Sequence, residues 1–281
     1  MKIAVSVESS VDINEEIAKK YDISIIPFHV MLGEDDRVDG DVTPQEIFDY
    51  VTKTKLLPKT AALNEEEYKE YFEGLLKNYD AVIHLPISAG ISSTYTHAQA
   101  AADALKNVYI VDSKSLSTGI ALLAIYARKL AESGLDAKTV AEKTALRADH
   151  VQASFVIEKL NYLYKGGRCS ALAMFGANVL KIRPQIILKD GKMTVHKKYM
   201  GKMEKVVANY CRDTIAEFNT PDLSVGFVTY SSATPEMIES ARNTLKEAGF
   251  KEIYETHAGA TVSSHCGENT IGILYINNAE E

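Results

Sequence analysis

The sequence predicts an α/β fold of two lobes, and three observations carry that prediction. Through the first 150 residues short β-branched, apolar runs alternate with helical patterns, the order that builds a parallel sheet covered by helices. Beyond them Asp190-Gly191 sits at the centre of a β-rich run, a hairpin signal that brings antiparallel strands into the second lobe. No repeat, low-complexity stretch or long linker interrupts the 281 residues. The expectation is therefore one domain over residues 3–280, made of lobes 1–150 and 151–281. Their junction leaves a cleft, a favoured place for a small-molecule site.

Each element has its own signal. Ile3 to Val7 reads as a strand, a helix follows Asp12, and Ile23 to Met31 reads as a second strand. Thr43-Pro44-Gln45-Glu46 is a capping box with proline at the first helical position, where its missing N–H costs nothing. Another helix begins at Asn64, and Ala81 to Leu85 and Val108 to Asp112 are strands. An apolar helix from Ser117 to Ser133 and a polar one from Asp136 to Asp149 are separated by the break at Ser133-Gly134. The second lobe opens with a strand from Val151 to Ile157 and two short helices around Gly166-Gly167. The hairpin spans Gln185 to Lys198. Strands Leu223 to Tyr230, Glu252 to Thr256 and Thr270 to Ile276 then alternate with helices Lys202 to Phe218 and Pro235 to Ala248.

Composition removes several function classes. With 46% hydrophobic and 25% charged residues the chain can bury a sizeable core. A formal net charge of -7 argues against nucleic acid as a partner, since nucleic-acid binders concentrate Lys and Arg on one face. Cys169, Cys211 and Cys266 form neither a disulfide framework nor a zinc spacing, which fits a reducing cytoplasm. No apolar stretch is long enough to cross a bilayer, and MKIAVSVESS does not read as a secretion signal. No metal or cofactor is expected, because G-x-G-x-x-G, Walker A, H-E-x-x-H and G-x-S-x-G are all missing.

Four segments carry groups able to do chemistry. Leu85 to Thr94 runs from a strand through a hydroxyl-rich turn into a helix, so Ser92 or Ser93 caps that helix, binds an anion with its N–H groups, or does both. Thr60, in the loop Leu57 to Asn64, reads as a solvated turn residue or a hydroxyl donor. His265, in a polar turn Val262 to Gly267 between two strands, is a structural hydrogen-bonding group, an anion donor or a base. Arg168, presented after Gly166-Gly167, suits a carboxylate, a phosphate or an acidic partner face.

In this order the segments resemble the DegV family. Glu8-Ser9-Ser10-Val11-Asp12 looks like its D-S-S-x-D-L opening, Pro58-Lys59-Thr60-Ala61 like P-K-T-S, and Ile91-Ser92-Ser93-Thr94 like L-S-G-T. Asp112-Ser113 and Lys165-Gly166-Gly167-Arg168 match as well, and the likeness runs from Ile3 to Ile276. The chain departs at Glu8, Ala61, Ser93, Cys169 and Cys266-Gly267-Glu268-Asn269, where the family has D, S, G, an aliphatic and T-G-P-G. The resemblance implies a fatty acid held between the lobes, with its carboxylate on Thr60, Ser92, Ser93 and His265. It also implies a bacterial, non-catalytic subunit that presents the acid to a separate kinase, with Arg168 as a possible partner contact.

The chemistry suits a carrier. About 15 buried methylenes gain on the order of 12 kcal/mol, offset by association entropy and chain ordering. A buried carboxylate needs donors, each charge-assisted bond contributing ~1.5 to 3 kcal/mol. Leu116, Ile120, Leu122, Leu123, Ile125, Leu172, Met174, Phe175, Val179, Leu180 and Ile182 offer apolar tunnel material or ordinary core. Two other readings stand beside the carrier: a hydrolase or kinase-like enzyme using Ser92 as nucleophile and His265 as base, and a regulatory acyl sensor.

Overall fold

The structure, a computed structural model, describes residues 1–171 and 182–278. Four strands form a parallel sheet: β1 (Ile3–Glu8), β2 (Ile23–Ile26), β6 (Ala81–Leu85) and β7 (Val108–Ile110), in the order β2-β1-β6-β7. Every residue of β1 and β6 is buried, as expected of a parallel sheet covered on both faces. A six-stranded mixed sheet follows. It contains β8 (Val151–Val156), β9 (Ile182–Lys189), β10 (Lys192–Met200), β11 (Pro221–Tyr230), β12 (Glu252–His257) and β13 (Ile271–Asn277), ordered β10-β9-β8-β13-β11-β12. Only the β11–β12 pairing is parallel. The predicted hairpin is β9–β10, with Asp190 (φ 50°) and Gly191 (φ 73°) in the left-handed conformation that a tight two-residue turn requires.

A third sheet was not anticipated. Ile23 to Met31 is not one strand: Pro27, which has no N–H to give, ends β2, and β3 (His29–Leu32) turns into an antiparallel sheet with β4 (Asp35–Val38) and β5 (Lys59–Ala61). Thr60 consequently lies on β5 rather than in a loop, opposite Val30. Helix α1 (Glu15–Lys20), capped by Asn14, lies between β1 and β2. Both α2 (Pro44–Thr54) and α3 (Glu65–Leu76) begin with full capping boxes, Thr43 with Glu46 and Asn64 with Glu67.

Helix α4 (Thr94–Asp103) precedes β7, and α5 (Thr118–Glu132) is the hinge of the core. Ten of its fifteen residues are buried, because it packs against β1 and β6 on one side and β8, β11 and β13 on the other. That explains a helix apolar nearly all round. Its buried Arg128 gives its guanidinium N–H groups to the backbone oxygens of Ile3, Tyr21 and Asp22, so the charge is not left unpaired. Helices α6 (Ala137–Ala148), α7 (Leu160–Lys165), α8 (Met203–Glu217) and α9 (Pro235–Glu247) complete the layers. The second of the two short helices expected near Gly167 falls largely outside the described residues.

Of the segment read as a polar turn, Val262 to Gly267, all but the capping Gly267 belongs instead to a helix, α10 (Ala260–Cys266). Apart from Ala260 its residues are weak helix formers with no apolar repeat, so tertiary contacts must supply the stability. The Asp12 carboxylate accepts from Gly259 N–H at 2.7 Å, and that of Asp39 from Ala260 N–H at 3.1 Å. Two acids thus satisfy the amides that open α10.

Candidate functional site

A cavity of about 650 Å³ lies among β5, the Ile87–Ser93 turn, α10 and strands β8, β11 and β13. Thr60, Ser92, Ser93, Arg168 and His265 all line it. Its apolar wall includes Phe28, Ile87, Ile91, Phe155, Met193 and Leu274. The volume is that of a typical small-molecule site.

Two of the five residues touch. Thr60 Oγ1 and His265 Nε2 are 2.9 Å apart, while His265 Nδ1 is buried without a hydrogen-bond partner among the described residues. Desolvation, helped by the Arg168 guanidinium, pushes the imidazole pKa down to about 4. His265 is therefore neutral near pH 7, carrying one N–H donor and one acceptor nitrogen. Among the described residues no carboxylate meets Nδ1, the place where a nucleophile–base pair has its orienting acid. Gly166 makes room for it: a Cβ there would come within 2.8 Å of Nδ1. Arg168 is exposed and bonded to Gly166 O, so its guanidinium stands at the mouth of the cavity.

The serine turn is fixed by backbone bonds. Ile87 N–H donates to Glu8 Oε2 at 2.9 Å, Ser88 N–H to Ser115 O at 2.9 Å, and Ser92 N–H to Ser88 O at 3.2 Å. Ser93 is the residue before α4 but makes no side-chain cap, and Ser92 Oγ lies 3.4 Å from Thr94 N. Capping by these serines is thus weak, and both hydroxyls remain available to the cavity. Ser88 Oγ donates to Gly191 O at 2.7 Å, which seats the tip of the β9–β10 hairpin against the turn. That contact leaves no room for a Cβ at Gly90, which would meet Gly191 O at 2.5 Å.

Reasoning from sequence assigned no role to Glu8, Asp12 or Asp39. Glu8 is fully buried, takes the Tyr68 hydroxyl on Oε1 and Ile87 N–H on Oε2, and so anchors the serine turn. Asp12 accepts from Ser117 Oγ as well as Gly259 N–H, and burial raises its pKa well above the ordinary value. Asp39 also takes the Ser9 hydroxyl at 2.8 Å. Position carried the available signal for the first two: Glu8 ends β1 and Asp12 lies just beyond it, at the carboxyl end of the strand, where sites on parallel sheets gather. Asp39 gave none, because its loop meets α10 only in the folded chain.

Among the apolar candidates Leu116 lines the cavity, whereas Ile120, Leu122, Leu123 and Ile125 are core residues of α5. Ile182 is half-buried on β9, and Leu172, Met174, Phe175, Val179 and Leu180 lie outside the described residues. Among the described residues no helix is long and apolar enough to cross a membrane.

Comparison with known proteins agrees with this architecture. A Thermotoga maritima protein named fatty acid-binding protein is 30% identical over 283 residues, covering 97% of this chain and 96% of its own. A solved Thermotoga maritima structure, described as revealing fatty acid binding function, is 27% identical with a TM-score of 0.83, covering 98% of this chain and 99% of its own. A fatty acid-binding DegV family protein from Thermus thermophilus, 23% identical, shares the fold at a TM-score of 0.90 over 99% of this chain and 100% of its own. The family model described as "Uncharacterised protein, DegV family" matches residues 2–278, and the chain accordingly belongs to the DegV family.

Proposed function

We propose that this protein binds one long-chain fatty acid by its carboxylate and presents it to a separate kinase. The observation that carries the reading is that Thr60, Ser92, Ser93 and His265 border one cavity whose remaining wall is largely apolar. In this reading the tail displaces water from the apolar wall and supplies most of the affinity. Hydroxyl and imidazole donors meet the carboxylate, which fixes the direction of the chain. A relative of 30% identity named fatty acid-binding protein supports the same assignment.

The chain itself would perform no bond chemistry. A carboxylate oxygen held at the head site attacks the γ-phosphorus of the kinase's ATP, the bond to the β-phosphate oxygen breaks, and ADP leaves. Arg168 at the mouth offers a planar guanidinium to an acidic surface or a phosphate of that partner. Cys169, Cys211 and Cys266 are buried and, among the described residues, form no disulfide, which suits a cytoplasmic, bacterial protein. Calorimetry on delipidated protein tests the head-first arrangement. Palmitate should bind at least about tenfold tighter than its methyl ester, since the ester keeps the tail and loses the charge. Equal affinities would overturn it.

A further inference from the structure

Three side chains of the opening Glu8-Ser9-Ser10-Val11-Asp12 each hold a different part of the cavity wall. Glu8 ends β1, a single 3-10 turn spans Ser9–Val11, and Asp12 closes that turn by giving its N–H to Ser9 O at 3.3 Å. Asp12 is left-handed there (φ 55°), a conformation that a short polar side chain tolerates. The turn packs against both α5 and α10.

Glu8 holds one side of the head site. Its Oε2 accepts from Ile87 N–H at 2.9 Å, at the start of the turn that carries Ser92 and Ser93. Asp12 holds the other. Its Oδ1 accepts from Gly259 N–H at 2.7 Å, at the start of the helix that carries His265, which in turn is bonded to the Thr60 hydroxyl. Its Oδ2 accepts from Ser117 Oγ at 2.5 Å. Between them Ser9 Oγ donates to Asp39 Oδ2 at 2.8 Å and accepts from Phe28 N–H at 3.1 Å, while the other oxygen of Asp39 takes Ala260 N–H. Phe28, Ile87 and Ser117 all line the cavity.

Ser92 and His265 come from distant segments, and this short opening grips both. A ligand carboxylate meets the two donor sets together only if every donor lies within hydrogen-bonding distance at once, and a shift of about 1 Å carries a typical contact out of range. We propose that Glu8, Ser9 and Asp12 are positioning residues of the carboxylate site, setting the gap between the Ser92–Ser93 turn on one side and the Thr60–His265 pair on the other. The proposal rests on the fatty-acid reading above and adds how its head site is held to size. None of the three residues lines the cavity, so each acts through the segment it holds.

Calorimetry on the delipidated full-length chain reads the ratio of methyl palmitate to palmitate Kd, at least about tenfold in the parent protein. Glu8→Met keeps the side-chain length without an acceptor, and Asp12→Gly keeps the left-handed backbone without a carboxylate. Each should weaken palmitate about fivefold to tenfold and the ester less than about twofold, the loss of one head-group bond. Titration of the His265 ring by NMR should rise from about 4 toward 6.5 in Asp12→Gly, as α10 loosens and water reaches the imidazole, and stay near 4 in Glu8→Met. Asp136→Ala, which removes the cap of α6, should lower the denaturation midpoint with the Kd ratio intact. Ser9→Ala leaves both carboxylates in place and should lower the ratio about threefold, so it decides the matter should a harsher variant not fold. Equal weakening of acid and ester, an unaltered ratio in the variants that fold, or the same His265 titration in Asp12→Gly and Glu8→Met overturns the proposal. A parent protein that binds acid and ester alike removes the carboxylate reading and the proposal with it.

Discussion

His265 links the chemistry of the site to the stability of the fold. Its pKa is lowered from 6.5 to about 4, chiefly by desolvation. Between those values the unfolded chain takes up a proton that the folded one refuses, so stability is full above pH 6.5 and falls as pH drops toward 4. The contribution reaches up to about 3 kcal/mol. Chemical denaturation at pH values above and inside this window should show His265→Gln losing less stability on acidification than the parent protein. Identical losses would mean that the ring is not desolvated. Ser92→Ala should weaken palmitate binding by ~1 to 3 kcal/mol, roughly fivefold to a hundredfold, with an unchanged denaturation midpoint. Calorimetry showing unaltered affinity would move the head site away from the serine turn. The hydroxyls, the imidazole and Arg168 were all legible as residue types in recurring segments. The hydrogen bond between Thr60 and His265, 205 positions apart, was not, because only the packing of β5 against α10 creates it.

At the scale of elements, what local chemistry governs was readable, and what tertiary contacts govern was not. The α2 capping box is closed within four residues, Thr43 to Glu46, and appears as the sequence implies. Helix α10 depends on Asp12 and Asp39 from far away in the chain, so its seven residues looked like a turn. Its far end depends on Gly267, which has φ 71° and whose Cβ would meet the Tyr162 ring at 2.7 Å. Gly267→Ala should therefore destabilise the protein by more than the ~1 to 3 kcal/mol of backbone strain alone, and should weaken palmitate binding by shifting His265. Gly134→Ala, at φ 89° with nothing within 4 Å of a new Cβ, should cost the strain only and leave binding intact. Equal thermal shifts for the two variants would contradict the close packing at Gly267.

The molecule as a whole joins a parallel sheet and a mixed sheet through one shared helix, α5, whose buried face contacts both. The α/β class and the hairpin followed from periodicity and Asp190-Gly191. The third sheet did not, because its strands are short and one of them, β4, is mostly charged. Arg168 belongs to this scale, since it is exposed where it lines the cavity. Arg168→Ala should keep its fatty acid while acyl-phosphate formation with a partner kinase falls, most visibly at low protein concentration where docking limits the rate. Loss of ligand from that variant would instead make Arg168 part of the head site. The central claim, that the cavity of about 650 Å³ holds one fatty acid, is tested most directly by mass spectrometry of protein purified from a bacterial host and extracted under denaturing conditions. The account predicts close to one equivalent of long-chain fatty acid per chain. Release of no fatty acid, together with no binding of added palmitate or oleate, would contradict it.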